Sequence, residues 1–168
     1  MIYVTADTHY YHTNIIRHCN RPFLNVEEMN NTMIKNHNKI VKKLDEIIFL
    51  GDFCFYLNPA QVSELCSRLN GKKYLITGNH DKNWLKKYRK SDFNDFIWIK
   101  DYHVLKYNGQ FYVLSHYPML NWEGRCHGST QLYGHIHNNP IEYVVENSYN
   151  VGVDVNNFTP MLLNNIGR

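Results

Sequence analysis

The chain has 168 residues, 43% of them hydrophobic and 20% charged. That length suits one domain with enough core to fold without disulfides, and the composition excludes a disordered or low-complexity chain. A net charge of +3 is too small to imply nucleic acid by itself, and no apolar run approaches the ~20 residues of a membrane span. The basic residues gather around Arg17 and Arg21, at Lys35 to Lys43 and at Lys82 to Lys90. Solvated helix faces are the simplest reading of the last two groups. Cys19, Cys54, Cys66 and Cys126 lack Cys-x-x-Cys spacing, so a structural zinc site is not expected. Residues 1 to 7 do not form the apolar region of a signal peptide. A cytoplasmic protein with free thiols is therefore expected.

The predicted elements run in chain order as follows. Ile2 to Ala6 reads as a short buried strand. Asn25 with Glu28 marks a helix start, and the helix is predicted to run to about Lys43. Ile47 to Leu50 is the next strand. Asn58-Pro59 opens a second helix, which Gly71 stops. Tyr74 to Thr77 is a third strand, and Asp81 is placed to cap a helix through Arg89. Tyr102 to Tyr107 and Gln110 to Ser115 alternate around Asn108-Gly109, a hairpin signal. Leu132-Tyr133 is a short strand, and Ile141 to Val145 with Tyr149 to Val153 suggest a second hairpin. No repeat or linker interrupts the chain, which predicts a single α/β domain over residues 1 to 168 with two mixed sheets and helices outside.

Five times, an apolar run ends in residue types that bind metals. The first run ends in Asp7-Thr-His9, the second in Gly51-Asp52 and the third in Gly78-Asn-His-Asp81. The fourth ends in Ser115-His116 and the fifth in Gly134-His-Ile-His137. Sites in α/β sheets lie outside the carboxyl ends of strands, so strands sharing one edge bring these motifs together. Carboxylate, imidazole and amide oxygen suit borderline divalent ions such as Mn, Fe, Zn or Ni. Alternate residues on an extended segment point the same way, so Asp7 with His9 and His135 with His137 are expected to share a direction. Gly78 and Gly134 precede ligand clusters where the backbone must turn tightly. Singly, each motif has an ordinary reading as a turn, a cap or a core histidine; five in this order do not.

These motifs resemble the calcineurin-like metallophosphoesterases, whose ordered signature is D-x-H, G-D, G-N-H-[DE], H and G-H-x-H. The resemblance spans residues 7 to 137. It is closer to small bacterial and phage-type members, which open as Asp7 to Ile16 does and carry a following Arg21-Pro22-Phe23. It implies a four-layer α/β/β/α sandwich. It also implies a metal-dependent phosphoric ester hydrolase with two divalent ions, manganese first and iron, zinc or nickel as alternatives. One ion would be held by Asp7, His9, Asp52 and His137. The other would be held by Asp52, Asn79, His116 and His135. A metal-bridging hydroxide would attack phosphorus, His80 would serve the leaving oxygen, and Asp81 would orient the His80 ring. Gly51-Asp52 continues as Phe-Cys-Phe-Tyr, without the extension of the phosphoprotein phosphatases, which argues against that activity.

The expected substrate is a phosphate ester, with a diester favoured and a nucleotide possible. Phosphomonoesterase and nuclease are the alternatives, and a non-catalytic scaffold of the same fold is the weakest. Neither a membrane nor an oligomeric state is indicated. His12, Asn14, Arg17 and Arg21 follow the first motif and are candidates to touch the substrate phosphate. The segment from Tyr117 to Thr130 joins His116 to the strand before His135, and its Trp122 and Arg125 are expected to select the substrate. Val151 to Asp154 reads as a structural closing strand.

Overall fold

The computed structural model describes residues 1–141 and 145–167. Its first sheet contains β1 (Ile2–Thr5), β2 (Glu46–Leu50), β3 (Lys72–Ile76), β4 (Phe96–Lys100) and β9 (Met161–Leu162), in the order β4-β3-β2-β1-β9. The first four are parallel, and β9 closes the edge antiparallel to β1. The second sheet contains β5 (Tyr102–Tyr107), β6 (Gln110–Ser115), β7 (Thr130–Tyr133) and β8 (Ser148–Asn150) in that order. Here β5 and β6 form the expected hairpin, while β7 and β8 run parallel to β6. Both sheets are therefore mixed, and the fold class is the one expected.

Period-two patterning places the layers. In β2, Ile47 and Phe49 face one core while Ile48 and Leu50 face the other. The first core is filled by helices α1 (Thr13–His18), α2 (Val26–Ile40), α3 (Pro59–Arg68) and α4 (Lys82–Tyr88), through Ile15, Met29, Met33, Val62, Leu65 and Trp84. The second lies between the sheets, where Val4, Ile48 and Ile76 meet Tyr112, Leu114 and Leu132. The outer face of the second sheet is covered by the loop after β6. Gln131 on that face accepts from Met119 N and donates to Tyr117 O.

The helix signals act largely as expected. The Asn25 side chain accepts from Glu28 N, and α2 ends a few residues before Lys43 because Val41 turns into the core. Asn58 and Gln61 form a reciprocal capping box at α3. Asp81 stands at the start of α4 without a side-chain capping bond. The expected second hairpin takes another form. Residues 142–144 of its first arm lie outside the described residues, and its second arm is β8, paired parallel to β7. Gly152 then bridges to Ala6, followed by a 3-10 turn over Val153–Val155. The closing segment thus stitches the two sheets together rather than extending one strand.

Candidate metal centre

Because β1, β2 and β3 are parallel, their carboxyl ends share one edge, and the ends of β6 and β7 meet it from the other sheet. Backbone bonds tie the loops there: Asp7 N donates to Gly51 O, His9 N to Asp52 O and Gly134 N to His116 O. A Cβ on Gly78 would collide with the Asp52 carboxylate, and one on Gly134 with Asp7 and Ala6. These two positions require glycine because strand ends pass one another there at backbone distance.

The paired motifs achieve convergence differently from the extended-strand expectation. Asp7, His9, Asp52, His135 and His137 all have positive φ, between 47° and 71°. Left-handed backbone costs a non-glycine residue of order 1–3 kcal/mol and persists only where the surroundings over-determine it. Here the surroundings include His135 N, which donates to both Asp7 carboxylate oxygens at 3.0 and 2.8 Å. Tight turns, rather than strand pleat, aim these side chains inward.

The ring nitrogens fall into inner and outer sets. His116 Nδ1 donates to Leu50 O at 2.8 Å, and its Nε2 lies 3.0 Å from Asn79 Oδ1 and 3.5 Å from Asp52 Oδ2. His9 Nδ1 lies 3.1 Å from His12 Nδ1, and His9 Nε2 lies 3.4 Å from the same Asp52 oxygen. With the His9 Nδ1–H donating to His12, Nε2 keeps a lone pair. That atom is buried and has no hydrogen-bond partner, a state that costs free energy unless something else satisfies it. His137 Nδ1 donates to Asp154 Oδ2 at 2.8 Å. His135 Nδ1 lies 3.1 Å from Asn79 Oδ1. Ligand atoms of Asp7, His9 and His137 gather within 4.8 Å of one another, as do those of Asp7, Asp52 and His116. Two atoms about 2.1 Å from one cation, at octahedral to tetrahedral angles, stand roughly 3.0–3.4 Å apart. The donor set and its spacing fit divalent cations, with one Asp52 oxygen facing both histidine groups.

Electrostatics agree with a site arranged around charge. Burial pushes the Asp7 carboxyl up to about 6 despite the neighbouring His116 and His137. Burial also opposes charge on Asp52, but bonding and charge from His116, with the charge of His9, hold it at about 2. Burial drives His9 well below the ordinary histidine range. His116 goes upward, because Asp52 and Asp7 outweigh its burial. His137 is buried too, yet Asp154, Cys19 and Asp7 raise it to about 10.

The remaining predicted residues divide. His80 is half-buried, with its ring centroid 5.2 Å from that of His9, and its backbone N donates to Asp52 Oδ1. His12 is buried, stacked on Phe55 at 3.7 Å, and sits behind His9. Asn14 and Arg17 are exposed on α1.

Four expectations are corrected. Asp81 does not orient the His80 ring. Its buried carboxylate accepts from Asp52 N, Phe53 N, Gly78 N and Trp84 Nε1, knotting two ligand loops together. Arg21 does not face substrate. Its guanidinium is fully buried, donates to both Asp154 oxygens, and donates to Asp7 O and Thr8 O. Trp122 is buried with its indole N–H directed at Ser129. Arg125 donates to Leu120 O and lies over the Trp122 ring, so both hold their own loop in shape. Asp154, read from sequence only as part of a structural strand, orients His137. No local signal marks it, since Arg21 lies 133 residues away in the chain.

Comparison with known proteins now bears directly on this edge. The model of the calcineurin-like phosphoesterases matches residues 1–146. The chain belongs to that family. Membership supports a metal-dependent phosphoester hydrolase, with phosphate esters as the implied substrates. An uncharacterized protein of Methanocaldococcus jannaschii is 41% identical, covering 96% of this chain and 86% of its own length. The crystal structure of a protein of unknown function from Aquifex aeolicus superposes with a TM-score of 0.73 at 28% identity, covering 96% of this chain and 94% of that one. No helix among the described residues is long and apolar enough to cross a membrane.

Proposed function

We propose that this phosphoesterase uses two divalent ions, manganese first among the candidates, to hydrolyse a phosphodiester. The observation that carries the reading is the Asp52 carboxylate. Its Oδ2 faces His9 Nε2 at 3.4 Å and His116 Nε2 at 3.5 Å, while the other ring nitrogen of each histidine is tied outward. Outer partners of this kind fix the tautomer and direction of ligating histidines. Asp7, His9, Asp52 and His137 would hold one ion, and Asp52, Asn79, His116 and His135 the other. When bound, such ions supply Lewis-acid charge to phosphoryl oxygens and make water acidic enough to deprotonate near neutral pH.

The chain's own residues account for the rest. Asp52 N and His80 N are held by Asp81 and by Asp52 Oδ1, so the two loops move as one piece. Water oxygen, its proton passed to solvent, bonds to phosphorus as the ester P–O bond breaks, and the departing oxygen takes a proton from His80, which regains one from solvent. Asn14 and Arg17, exposed on α1, remain candidates to meet the phosphate. A diester is favoured because the edge opens sideways into a cleft and carries no phosphatase extension. The complete ligand set argues against a scaffold role.

The test is metal analysis and turnover of a generic diester and an aryl monoester after stripping and reconstitution with Mn. Two ions per chain and a higher kcat/KM for the diester are expected, and His80→Ala should lose about 10²–10⁴ in kcat while keeping its metal. Reconstituted protein that binds no stoichiometric ion overturns the reading.

A further inference from the structure

A cleft of about 540 Å³ opens onto the Asn79–His116 side of the centre. It is lined also by Tyr117, Tyr102, Lys82 and Asp101. Tyr117 is the hinge between centre and cleft. Its ring centroid lies 5.0 Å from His116 and 4.6 Å from His135, yet 47% of the residue is exposed. Tyr102 is 40% exposed. Tyrosines combine an apolar ring with a polar tip, which suits them to line a wet cleft. Neither belongs to the buried clusters, and the Tyr102 hydroxyl accepts from the Glu123 backbone.

The geometry points to a nucleoside as the group that occupies this cleft, attached through its ester oxygen to the phosphorus at the centre; this inference rests on the phosphodiesterase reading above. The volume lies within the range of small-molecule pockets. Phosphate held near Asn79 and His116 places the next few atoms of one substituent against Tyr117. An aromatic base then has ring faces to stack on, an interaction that tolerates any base. Asp101, whose carboxylate already accepts from Thr77 Oγ1, has a second oxygen to accept from a ribose hydroxyl or base N–H. Lys82, exposed in the first turn of α4, is the cation in the lining and suits a further phosphate oxygen. An alkyl substituent would use none of these features.

The decisive experiment is calorimetric binding of thymidine 5′-monophosphate and methyl phosphate to the Mn-loaded protein. Wild type should bind the nucleotide at least about tenfold more tightly. Tyr102→Ala and Tyr117→Ala should erase that preference, and Tyr117→Phe should keep it. Kinetics with thymidine 5′-(4-nitrophenyl phosphate) and methyl 4-nitrophenyl phosphate, which share a leaving group, should show the same ratio in KM. Equal binding of the two phosphates by wild type overturns the inference, as does an unchanged preference in both alanine variants. Should Tyr117→Ala fail to retain metal, Tyr102→Ala decides, because its ring touches no candidate ligand. If the binding preference holds while neither ester turns over, the hydrolase reading fails and the cleft assignment stands.

Discussion

The two halves of the centre are built differently. Around His9 and His137 the chain is more closed: Asp7 and His9 are at most 1% exposed, His137 is half-buried, His12 backs one imidazole, and the Arg21–Asp154 pair backs the other. Around Asn79, His116 and His135 the chain leaves a cleft edged by exposed tyrosines. The closed half holds its geometry with buried charge, while left-handed backbone serves both halves, at Asp7, His9 and His137 and at His135. The open half has the room through which substrate would enter and leave. Strain and buried ion pairs are tolerable on the closed side because the packing and hydrogen bonds over-determine it.

Asp52→Asn should break the contrast altogether, since its Oδ2 faces both halves. Loss of both ions by elemental analysis and a fall of about three orders of magnitude in kcat are expected. Retention of two ions per chain would show that Asp52 is not shared.

The closed half alone is probed through its outer partners. Asp154→Asn should weaken the ion held by His137 by about 10- to 100-fold in chelator competition, through loss of the charged acceptor on His137. Arg21→Lys should do the same more mildly, because an ammonium cannot reproduce the two-pronged bond to Asp154 while also holding Asp7 O and Thr8 O. Unchanged ion affinity in both variants would reduce the pair to a fold element.

The smallest effect lies outside the centre. His37 on α2 is buried, donates to Asn70 O at 2.8 Å, and burial lowers its pKa to about 4. An unfolded histidine titrates near ~6.5. Between those values the unfolded chain binds the extra proton, so the stability is present above about pH 6.5 and is lost as pH falls toward 4. The loss is on the order of 3 kcal/mol at most. Urea unfolding of His37→Gln should show a flatter dependence between pH 7 and 5 than wild type, with metal content unaffected. Equal slopes would remove His37 as the cause.

Much of the architecture was legible before any coordinates. Asn25 and Asn58 marked true helix starts, Asn108-Gly109 made its hairpin, and the apolar run Ile47 to Leu50 marked a strand. Those features depend on neighbours within a few residues, so linear reading reaches them. The edge strand β4 went unseen, since its apolar run leaves Ile97 exposed and Trp98 and Ile99 half-buried, with no clear alternation.

By itself, the sequence determined which residue types stand at the ends of five apolar runs, and so the metal-binding character of one sheet edge. Tertiary structure alone decided what each neighbour does. Arg21 and Asp154 meet across 133 positions, Asp81 spends its carboxylate on loop amides, and Trp122 turns inward while Tyr117 stays out. A buried charge takes whichever partner the packing brings, and the cost of leaving it unpaired is set by burial. Burial is a property of the whole fold, so a motif can identify a ligand but not the arginine or aspartate standing behind it.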